Sequence, residues 1–195
     1  KILGLKINTN ASLLNERNIH DILDNNVSTV VFSADAADKK LYEKLRVGGK
    51  FEKVITNIKL FKEIKDKHYK NKKIITRVSG VKFSKDQNFN DLNNFWKEYV
   101  DQVAFVEYNP WENSYEKDPN NIIEPCSDLW RRMFIWWDGT TNPCDVDYKS
   151  NLSVGNAKKN KVDHLWNNEQ YNEIRRKHLD KNRKGLIPCS SCQVT

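Results

Sequence analysis

The sequence predicts an α/β fold, in which parallel strands alternate with helices, followed by a small C-terminal unit made of a β-hairpin and a helix. Apolar runs with strand character alternate with amphipathic stretches through the first half of the 195 residues. The alternation stops at Trp111, where a connector rich in Pro and Asn begins. All four cysteines lie beyond residue 125, so the two halves differ in pattern and in chemistry.

The first half contains four strand candidates separated by three helix candidates. The strands are LGLKINTN, VSTVVFSADAAD, KKIITRVSGVKF and VAFVEYNPW, and the helices are ASLLNERNIHDILDNN, FEKVITNIKLFKEIKDKHYKN and NFNDLNNFWKEYVDQ. The second helix repeats its apolar side chains every three or four residues, at Phe51, Val54, Ile55, Ile58, Phe61 and Ile64. Strands that alternate with helices are joined by right-handed crossovers, so we expect a parallel sheet.

Polar residues follow the point where each apolar run stops. They are Asn8, Asn10, Ser33, Asp35, Arg77, Ser79, Glu107 and Asn109. In open parallel sheets, ligands bind at the carboxyl ends of the strands, which makes these residues candidates for a binding site. Strand ends are also polar simply because they meet solvent, so the pattern alone does not assign a role to any one of them.

The second half contains a hairpin signal and a final helix. The stretch RMFIWWDG predicts a strand that enters a tight turn at Asp138-Gly139, and the chain returns through Pro143-Cys144. The final helix is predicted over VDHLWNNEQYNEIRRKHLDKNRK. Its apolar residues are spaced for one face, at Val162, Leu165, Trp166, Ile174 and Leu179.

The cysteines are the strongest chemical signal in the sequence. Cys189 and Cys192 form a C-x-x-C knuckle, Cys144 sits beside the predicted hairpin, and Cys126 lies on the approach to it. Because the sequence has no secretory signal, a metal or redox centre is favoured over a disulfide framework. Four thiolates suit either a structural zinc ion or a 4Fe–4S cluster, and the spacing does not separate the two.

Two histidines near these cysteines are weaker ligand candidates. His164 and His178 both lie in the predicted final helix. His178 follows the basic run Arg175–Lys177, which favours a position on the surface or at a helix end. We therefore do not expect either ring to ligate a metal.

The charge and hydropathy patterns limit the possible partners. The chain carries 33 Lys and Arg against 26 Asp and Glu, a formal net charge of +7, which is compatible with an anionic partner. No apolar run approaches the roughly 20 residues that a membrane span requires. With no secretory or transit signal, we expect a cytoplasmic protein that does not bind a membrane.

A zinc-stapled basic module that contacts nucleic acid is the alternative function. Its support is a basic cluster near the C-terminus, formed by Arg175, Arg176, Lys177, Lys181, Arg183 and Lys184. Acidic side chains at Glu169, Glu173 and Asp180 dilute this cluster, and a solvated helix face has the same composition. We do not expect nucleic acid to be the partner.

The cysteine pattern resembles that of a known domain. Cys126 and Cys144 are spaced as C-x17-C with Gly139 five residues before the second, and the C-x-x-C follows much later. This arrangement resembles the SPASM auxiliary-cluster domain of the radical S-adenosylmethionine (SAM) superfamily, or its shortened Twitch form. The full SPASM pattern uses more cysteines and two clusters. The spacing is most similar to the single-cluster type found in SAM-dependent 2-deoxy-scyllo-inosamine dehydrogenases.

The first half resembles the same superfamily. LKINTNASLL is similar to its "TNG" strand, VVFSADAADKKLYEKLRVGGKFEKVITNI to the next strand and helix, and IITRVSG to the strand after that. The resemblance implies a partial (β/α) barrel over residues 1–111, a linker over 112–125 and an auxiliary cluster domain over 126–195. It also implies that the C-terminal β-hairpin plus helix unit is a metal-cluster domain.

The resemblance further implies the cofactors and their ligands. One auxiliary 4Fe–4S cluster would be held by Cys126, Cys144, Cys189 and Cys192, with zinc possible as a substitute in the same site. SAM would be contacted by Ser33, Arg77, Asn10 and Asp35, in that order of preference. The intact enzyme would form a 5′-deoxyadenosyl radical and abstract hydrogen from a sugar, cyclitol or related small molecule, with a peptide as another substrate class. A flavodoxin or ferredoxin would supply electrons.

One departure from the superfamily pattern bears on activity. The C-x-x-x-C-x-x-C motif that holds the SAM-cleaving cluster should precede LGLKINTN, and it is absent from the sequence. Gly48-Gly49 does not replace the "GGEP" segment, because it follows a helix and not a strand. We therefore expect the C-terminal portion of a radical SAM enzyme, inactive as given. A naturally shortened scaffold or partner protein remains open.

Overall fold

The computed structural model describes residues 3–108 and 113–194. The chain divides into two compact units, Lys1–Tyr108 and Asn109–Thr195. Asn109 and Trp111, which the sequence places at the end of the fourth strand, lie outside the described residues. None of the helices within the described ranges is both long enough and apolar enough to cross a membrane.

The first unit is an alternating α/β structure. Its elements in chain order are β1 (Lys6–Thr9), α1 (Glu16–Asp24), β2 (Thr29–Ser33), α2 (Lys39–Leu45), α3 (Phe51–His68), β3 (Ile75–Lys82), α4 (Phe89–Trp96) and β4 (Gln102–Glu107). The strands form one sheet in the order β1-β2-β3-β4, and every neighbouring pair is parallel. The predicted α/β fold with a parallel sheet is confirmed.

Helix α2 is the one element of this unit that the strand and helix patterns did not predict. It has only seven residues, too few for a clear apolar period. The Asp38 side chain caps it by accepting the Leu41 N–H at 2.9 Å. Tyr42 anchors it in the core, where the ring is 2% exposed and lies 5.2 Å from the ring of Phe51.

The core of the first unit lies between the sheet and its helices. Phe32 of β2 meets Phe61 of α3 edge to face at 5.3 Å between ring centroids. Trp96 ends α4, is fully buried, and donates its indole N–H to the Ala36 carbonyl at 3.1 Å. Gly80 allows β2, β3 and the Phe105 ring to approach closely, because an added Cβ would lie 2.3 Å from the Ala34 carbonyl oxygen.

The second unit is smaller and contains a three-stranded antiparallel sheet. Its elements are a 3-10 helix (Ser127–Trp130), β5 (Phe134–Ile135), β6 (Thr140–Asn142), β7 (Gly155–Asn156), α5 (Val162–Asn167), α6 (Glu169–Leu179) and a second 3-10 helix (Arg183–Gly185). The hairpin is confirmed, since β5 and β6 pair antiparallel across the predicted turn. Gly139 has a φ of 88° there, and the Asp138 side chain accepts the Thr140 N–H at 2.9 Å.

The final helix is divided, which corrects the prediction of one continuous helix. Asn168 has extended backbone, with a ψ of 166°, and separates α5 from α6. Its side chain caps α6 by accepting the Tyr171 N–H at 2.9 Å, and it donates to the Val154 carbonyl at 2.7 Å. An Asn in this position competes with the helix for backbone hydrogen bonds, so a new helix begins there.

The basic residues of this region do not share one exposed face. Arg175 is 8% exposed and Arg183 is 1% exposed. Arg176 forms ion pairs with Glu169 and Glu173. The basic cluster expected for the nucleic-acid alternative is therefore interrupted by burial and by local ion pairs.

Candidate metal centre

Three segments of the second unit bring the four cysteines to one cavity. Cys126 precedes the 3-10 helix Ser127–Trp130, Cys144 follows β6, and the knuckle follows the 3-10 helix Arg183–Gly185. All four thiols are free. They line the same cavity, whose volume is about 50 Å³. The structure thus places together the four residues that the sequence proposed as metal ligands.

The knuckle is a tight turn built on Pro188. The Pro188 carbonyl accepts N–H groups from Ser191 and Cys192, both at 3.2 Å. Ser190 donates its N–H to the Leu186 carbonyl at 2.7 Å. These bonds turn the backbone so that both cysteines of the C-x-x-C line the cavity.

Residues 113–125, predicted as part of a linker, pack on this knuckle. Asn120 accounts for two contacts: its N–H donates to the Ser190 carbonyl and its side-chain amide to the Cys192 carbonyl, both at 2.9 Å. The Ser191 hydroxyl donates to the Ser114 carbonyl. The described part of this segment therefore belongs to the second unit and supports the cysteines.

Arg183 holds the segments around the cavity together. Its guanidinium donates to the carbonyls of Cys189, Cys192, Glu124 and Val194 at 3.0–3.2 Å. The side chain is 1% exposed and lines the cavity. Within the described residues no carboxylate forms an ion pair with it. The sequence predicted a basic surface that includes Arg183, and that placement was wrong because the side chain is buried and bonds four backbone carbonyls.

His178 lies in the last turn of α6, as one of its two expected positions has it, but it lines the cavity and is not on the surface. The ring is fully buried, and its Nδ1 accepts the Cys126 N–H at 3.2 Å. Burial, with a smaller effect of Arg183, lowers the pKa of His178 to about 4. The buried face of α6 runs through Tyr171, Ile174, Arg175 and His178, a helical spacing that the basic run Arg175–Lys177 concealed.

The environment of the thiols favours their neutral form. Burial raises the pKa of Cys144 to about 12 and also raises the pKa of Cys126 and Cys189. After burial, the charge of the neighbouring Cys144 is the second cause that raises the pKa of Cys189, because the two sulfurs interact electrostatically. Thiolates in such a place need a bound cation to stabilise their charge, and they release protons when they bind it.

The donor set fits an iron–sulfur cluster. Four cysteine thiols are the ligands that such clusters use, and here three are buried and Cys144 is partly buried. No three His, Cys, Asp or Glu side chains in residues 3–108 and 113–194 are arranged to hold a single metal ion. The four thiols nevertheless line one cavity.

The candidate SAM residues lie in the first unit, at different positions along the strands. Ser33 is the last residue of β2, is partly buried, and pairs with Ser79. Asn10 follows β1, and its side-chain oxygen accepts the N–H and hydroxyl of Ser12 at 3.0 and 2.7 Å. Asp35 is 5% exposed, forms an ion pair with Arg46 at 2.7 Å, and accepts the Val81 N–H at 2.8 Å.

Arg77 does not lie at a strand end, which corrects the sequence expectation. It is the third of the eight residues of β3, and the strand continues to Lys82 because Ser79–Lys82 pair with β4. Its guanidinium Nε donates to the Gln102 side chain at 3.0 Å. Arg77 is two residues before Ser79, so the two share one face of the sheet.

Comparisons with known proteins agree with this site. Residues 126–193 match the SPASM family, described as an iron-sulfur cluster-binding domain. No curated protein matches the chain. The C-terminal region is therefore a SPASM-type domain.

Solved structures match most of the chain. Streptococcus suis SuiB bound to the precursor peptide SuiA has a TM-score of 0.64 and 20% identity, over 87% of this chain and 49% of that one. anSMEcpe with bound AdoMet has a TM-score of 0.62 and 15% identity, over 96% and 61%. BtrN in complex with AdoMet and 2-DOIA has a TM-score of 0.50 and 14% identity, over 96% and 59%.

The chain thus spans about half the length of the SuiB structure it matches. At these identities the likeness shows the fold. The resemblance stated from the sequence is confirmed at that level: the chain has a radical SAM fold with a SPASM-type C-terminal domain.

Proposed function

We propose that the second unit binds one auxiliary 4Fe–4S cluster through the thiolates of Cys126, Cys144, Cys189 and Cys192. One observation carries the proposal: four free cysteines from three separate segments line a single cavity. That cavity lies inside the region that matches an iron-sulfur cluster-binding domain.

The family match supports a cluster over zinc, because residues 126–193 match an iron-sulfur cluster-binding domain. A structural zinc ion requires four ligands within about 2.3 Å of one point. A 4Fe–4S cluster instead takes one thiolate at each iron, so its ligands surround a larger volume. Zinc in the same four thiolates remains the alternative outcome of the test.

The residues around the cavity would set the environment of a bound cluster. When bound, a cluster of this type supplies one-electron chemistry at a potential set by burial and hydrogen bonds. Leu129, Val146 and Pro188 line the cavity and exclude water. Arg183 joins the knuckle to the segment before Cys126 and contributes a positive charge that partly offsets the thiolates.

The role of the first unit follows from its strand ends. We propose that Ser33 contacts SAM, supported by its place at the end of β2 and its partial exposure. Asn10 is the next candidate because it is exposed just beyond β1. Asp35 and Arg77 have weaker support, since Arg46 and Val81 occupy the Asp35 carboxylate and Arg77 lies away from the strand end.

For the whole enzyme we propose hydrogen abstraction from a small polyhydroxylated substrate such as a sugar or cyclitol. Its support is the four-cysteine pattern. A peptide is the second candidate, favoured by the match to SuiB bound to its precursor peptide. The 195 residues contain no C-x-x-x-C-x-x-C motif, so we propose no reaction for this chain alone.

Anaerobic reconstitution tests the cluster proposal. The chain is incubated with ferrous iron and sulfide, and iron, sulfide and zinc are then quantified. We expect about four iron and four sulfide per chain, with the brown colour of Fe–S proteins. Each of the four Cys→Ala variants should lose most of the iron. Trp137→Ala, at a side chain 93% exposed, is the matched control. One tightly held zinc with no iron uptake would contradict the proposal.

A further inference from the structure

One ring nitrogen of His178 forms a hydrogen bond, and the other has no hydrogen-bond partner among the described residues. Its Nδ1 accepts the backbone N–H of Cys126 at 3.2 Å. An acceptor nitrogen carries a lone pair, so the proton of the neutral ring sits on Nε2. Nε2 is buried and has no hydrogen-bond partner among the residues that the structure describes. His178 therefore presents an unpaired N–H donor.

The ring that carries this donor lines the cysteine cavity. His178 is fully buried and lines the cavity with the four thiols. Buried donors in proteins almost always have a partner, because losing the hydrogen bond to water is costly. The nearby Asp128 carboxylate is already engaged by Arg131 and Arg132. The sulfur atoms of the four cysteines that line the same cavity, and those of a cluster bound there, are available acceptors.

The same tautomer argues against His178 as a metal ligand. A ligating nitrogen must offer its lone pair to the metal. Because Nδ1 already accepts the Cys126 N–H, ligation through Nε2 would require an anionic ring. A neutral ring in this position is a donor and not a ligand.

We infer that His178 donates its Nε2–H to a sulfur atom of the auxiliary cluster or of its cysteine ligands, and thereby raises the reduction potential of the cluster. The inference rests on the proposed function. A hydrogen bond to sulfur withdraws negative charge from the cluster. The reduced cluster carries one more electron, so the bond stabilises it more than the oxidised cluster. His178 is thus a tuning residue that acts on the cofactor directly.

Redox titration and pulsed EPR of the reconstituted chain test this inference. Dithionite supplies one electron per cluster, and histidine is labelled with ¹⁵N. We expect a weak coupling from a histidine nitrogen in the unmodified protein. His178→Phe removes the donor, so this coupling should vanish and the potential should become more negative. His178→Gln keeps an amide donor and should give a smaller shift. His164→Phe, at an exposed ring, is the matched control and should change neither quantity.

The outcomes separate this inference from the cluster proposal. If the cluster assembles but His178→Phe has the potential of His164→Phe and no histidine coupling is present, the tuning role is wrong while the cluster stands. A strong coupling typical of directly bound nitrogen would make His178 a ligand and overturn the inference. If His178→Phe fails to fold, His178→Gln and the spectrum of the unmodified protein decide the question. Failure of the unmodified chain to take up iron overturns both proposals.

Discussion

The guanidinium of Arg183 donates to the carbonyl of Cys192 at 3.0 Å, nine residues along the chain. The same group donates to the carbonyls of Cys189, Glu124 and Val194. One buried side chain thus joins the cysteine knuckle, the segment after it and the segment that leads to Cys126. This relationship makes the cavity depend on a residue that is not itself a ligand.

Replacing Arg183 should destabilise the second unit. Arg183→Met removes the donors to four carbonyls, and each buried unsatisfied acceptor costs about 1–3 kcal/mol. We expect the free energy of unfolding to fall by at least about 3 kcal/mol, allowing for partial access of water to the carbonyls. Urea denaturation followed by Trp fluorescence measures it. Lys184→Met, at the exposed neighbouring position, should change stability by less than about 0.5 kcal/mol. Equal stability of the two variants would refute the role of Arg183.

Gly80→Ala should destabilise the parallel sheet. The added Cβ would lie 2.3 Å from the Ala34 carbonyl oxygen and 2.5 Å from the Phe105 ring, so the backbone just after β2 would have to move. We expect a loss of about 3 kcal/mol, at the upper end of overpacking costs. Gly185→Ala is the control, because no atom lies within 4 Å of its added Cβ. Thermal denaturation by circular dichroism compares them, and a near-neutral Gly80→Ala would show that the sheet is less tightly packed than described.

Asp101 should make the first unit less stable in acid. Burial alone would raise its pKa, but hydrogen bonds from Lys65 and from the backbone and side chain of Thr76 outweigh this, and the pKa is lowered. A carboxyl with a lowered folded-state pKa contributes stability above its unfolded pKa of about 3.9 and loses it as pH falls through the folded value. Because the Asp101 side chain is 48% exposed, we discount the contribution to about 1 kcal/mol.

Asp101→Asn and Asp66→Asn form a matched pair for this test. Asp66 makes an exposed i,i+4 ion pair with Lys62, which contributes little. Urea denaturation at pH 7 should show Asp101→Asn to be the less stable of the two. The difference should shrink as the pH falls from about 4 through the lowered folded-state pKa of Asp101, where the folded carboxyl becomes protonated. A difference that persists unchanged into strong acid would contradict the electrostatic explanation.

Removing the cluster should loosen the second unit and leave the first unchanged. Metal-binding energy stabilises the conformation that holds the ligands, and the emptied site must bury four thiols without their cation. Hydrogen exchange measured by mass spectrometry should therefore increase in residues 126–192 of the reconstituted chain after chelation. Strands β1–β4 should exchange at the same rate with and without the cluster. Faster exchange in both units would instead indicate general unfolding.

The sequence predicted the order and type of most regular elements. Helix α3 illustrates why: its apolar residues follow the helical period over 18 residues, and five of its predicted stripe residues, Phe51, Val54, Ile58, Phe61 and Ile64, are buried. The hairpin was equally readable, because Asp138-Gly139 is a strong turn signal. Patterns of this kind indicate local backbone geometry, because that geometry depends mainly on residues within the same segment.

Boundaries were harder to predict where a single side chain decides between continuing and ending an element. Asn168 ends α5 because its side chain caps α6, although the apolar period continues on both sides. Strand β3 passes the polar residues Arg77 and Ser79 because β4 pairs with it as far as Lys82. In both places a hydrogen-bond partner from another segment, the Val154 carbonyl for Asn168 and strand β4 for β3, outweighed the local sequence pattern.

The sequence by itself determined the alternation of strands and helices and the four sulfur atoms available as ligands. Only the tertiary structure decided that those thiols line one cavity, that Arg183 is buried and bonds the surrounding carbonyls, and that His178 lines the same cavity with an Nε2 that lacks a partner. The physical reason is that burial and hydrogen-bond partners come from residues distant in the chain. From the sequence alone, a polar residue is predicted to lie on the surface, and only its packing in the folded protein shows whether it is buried.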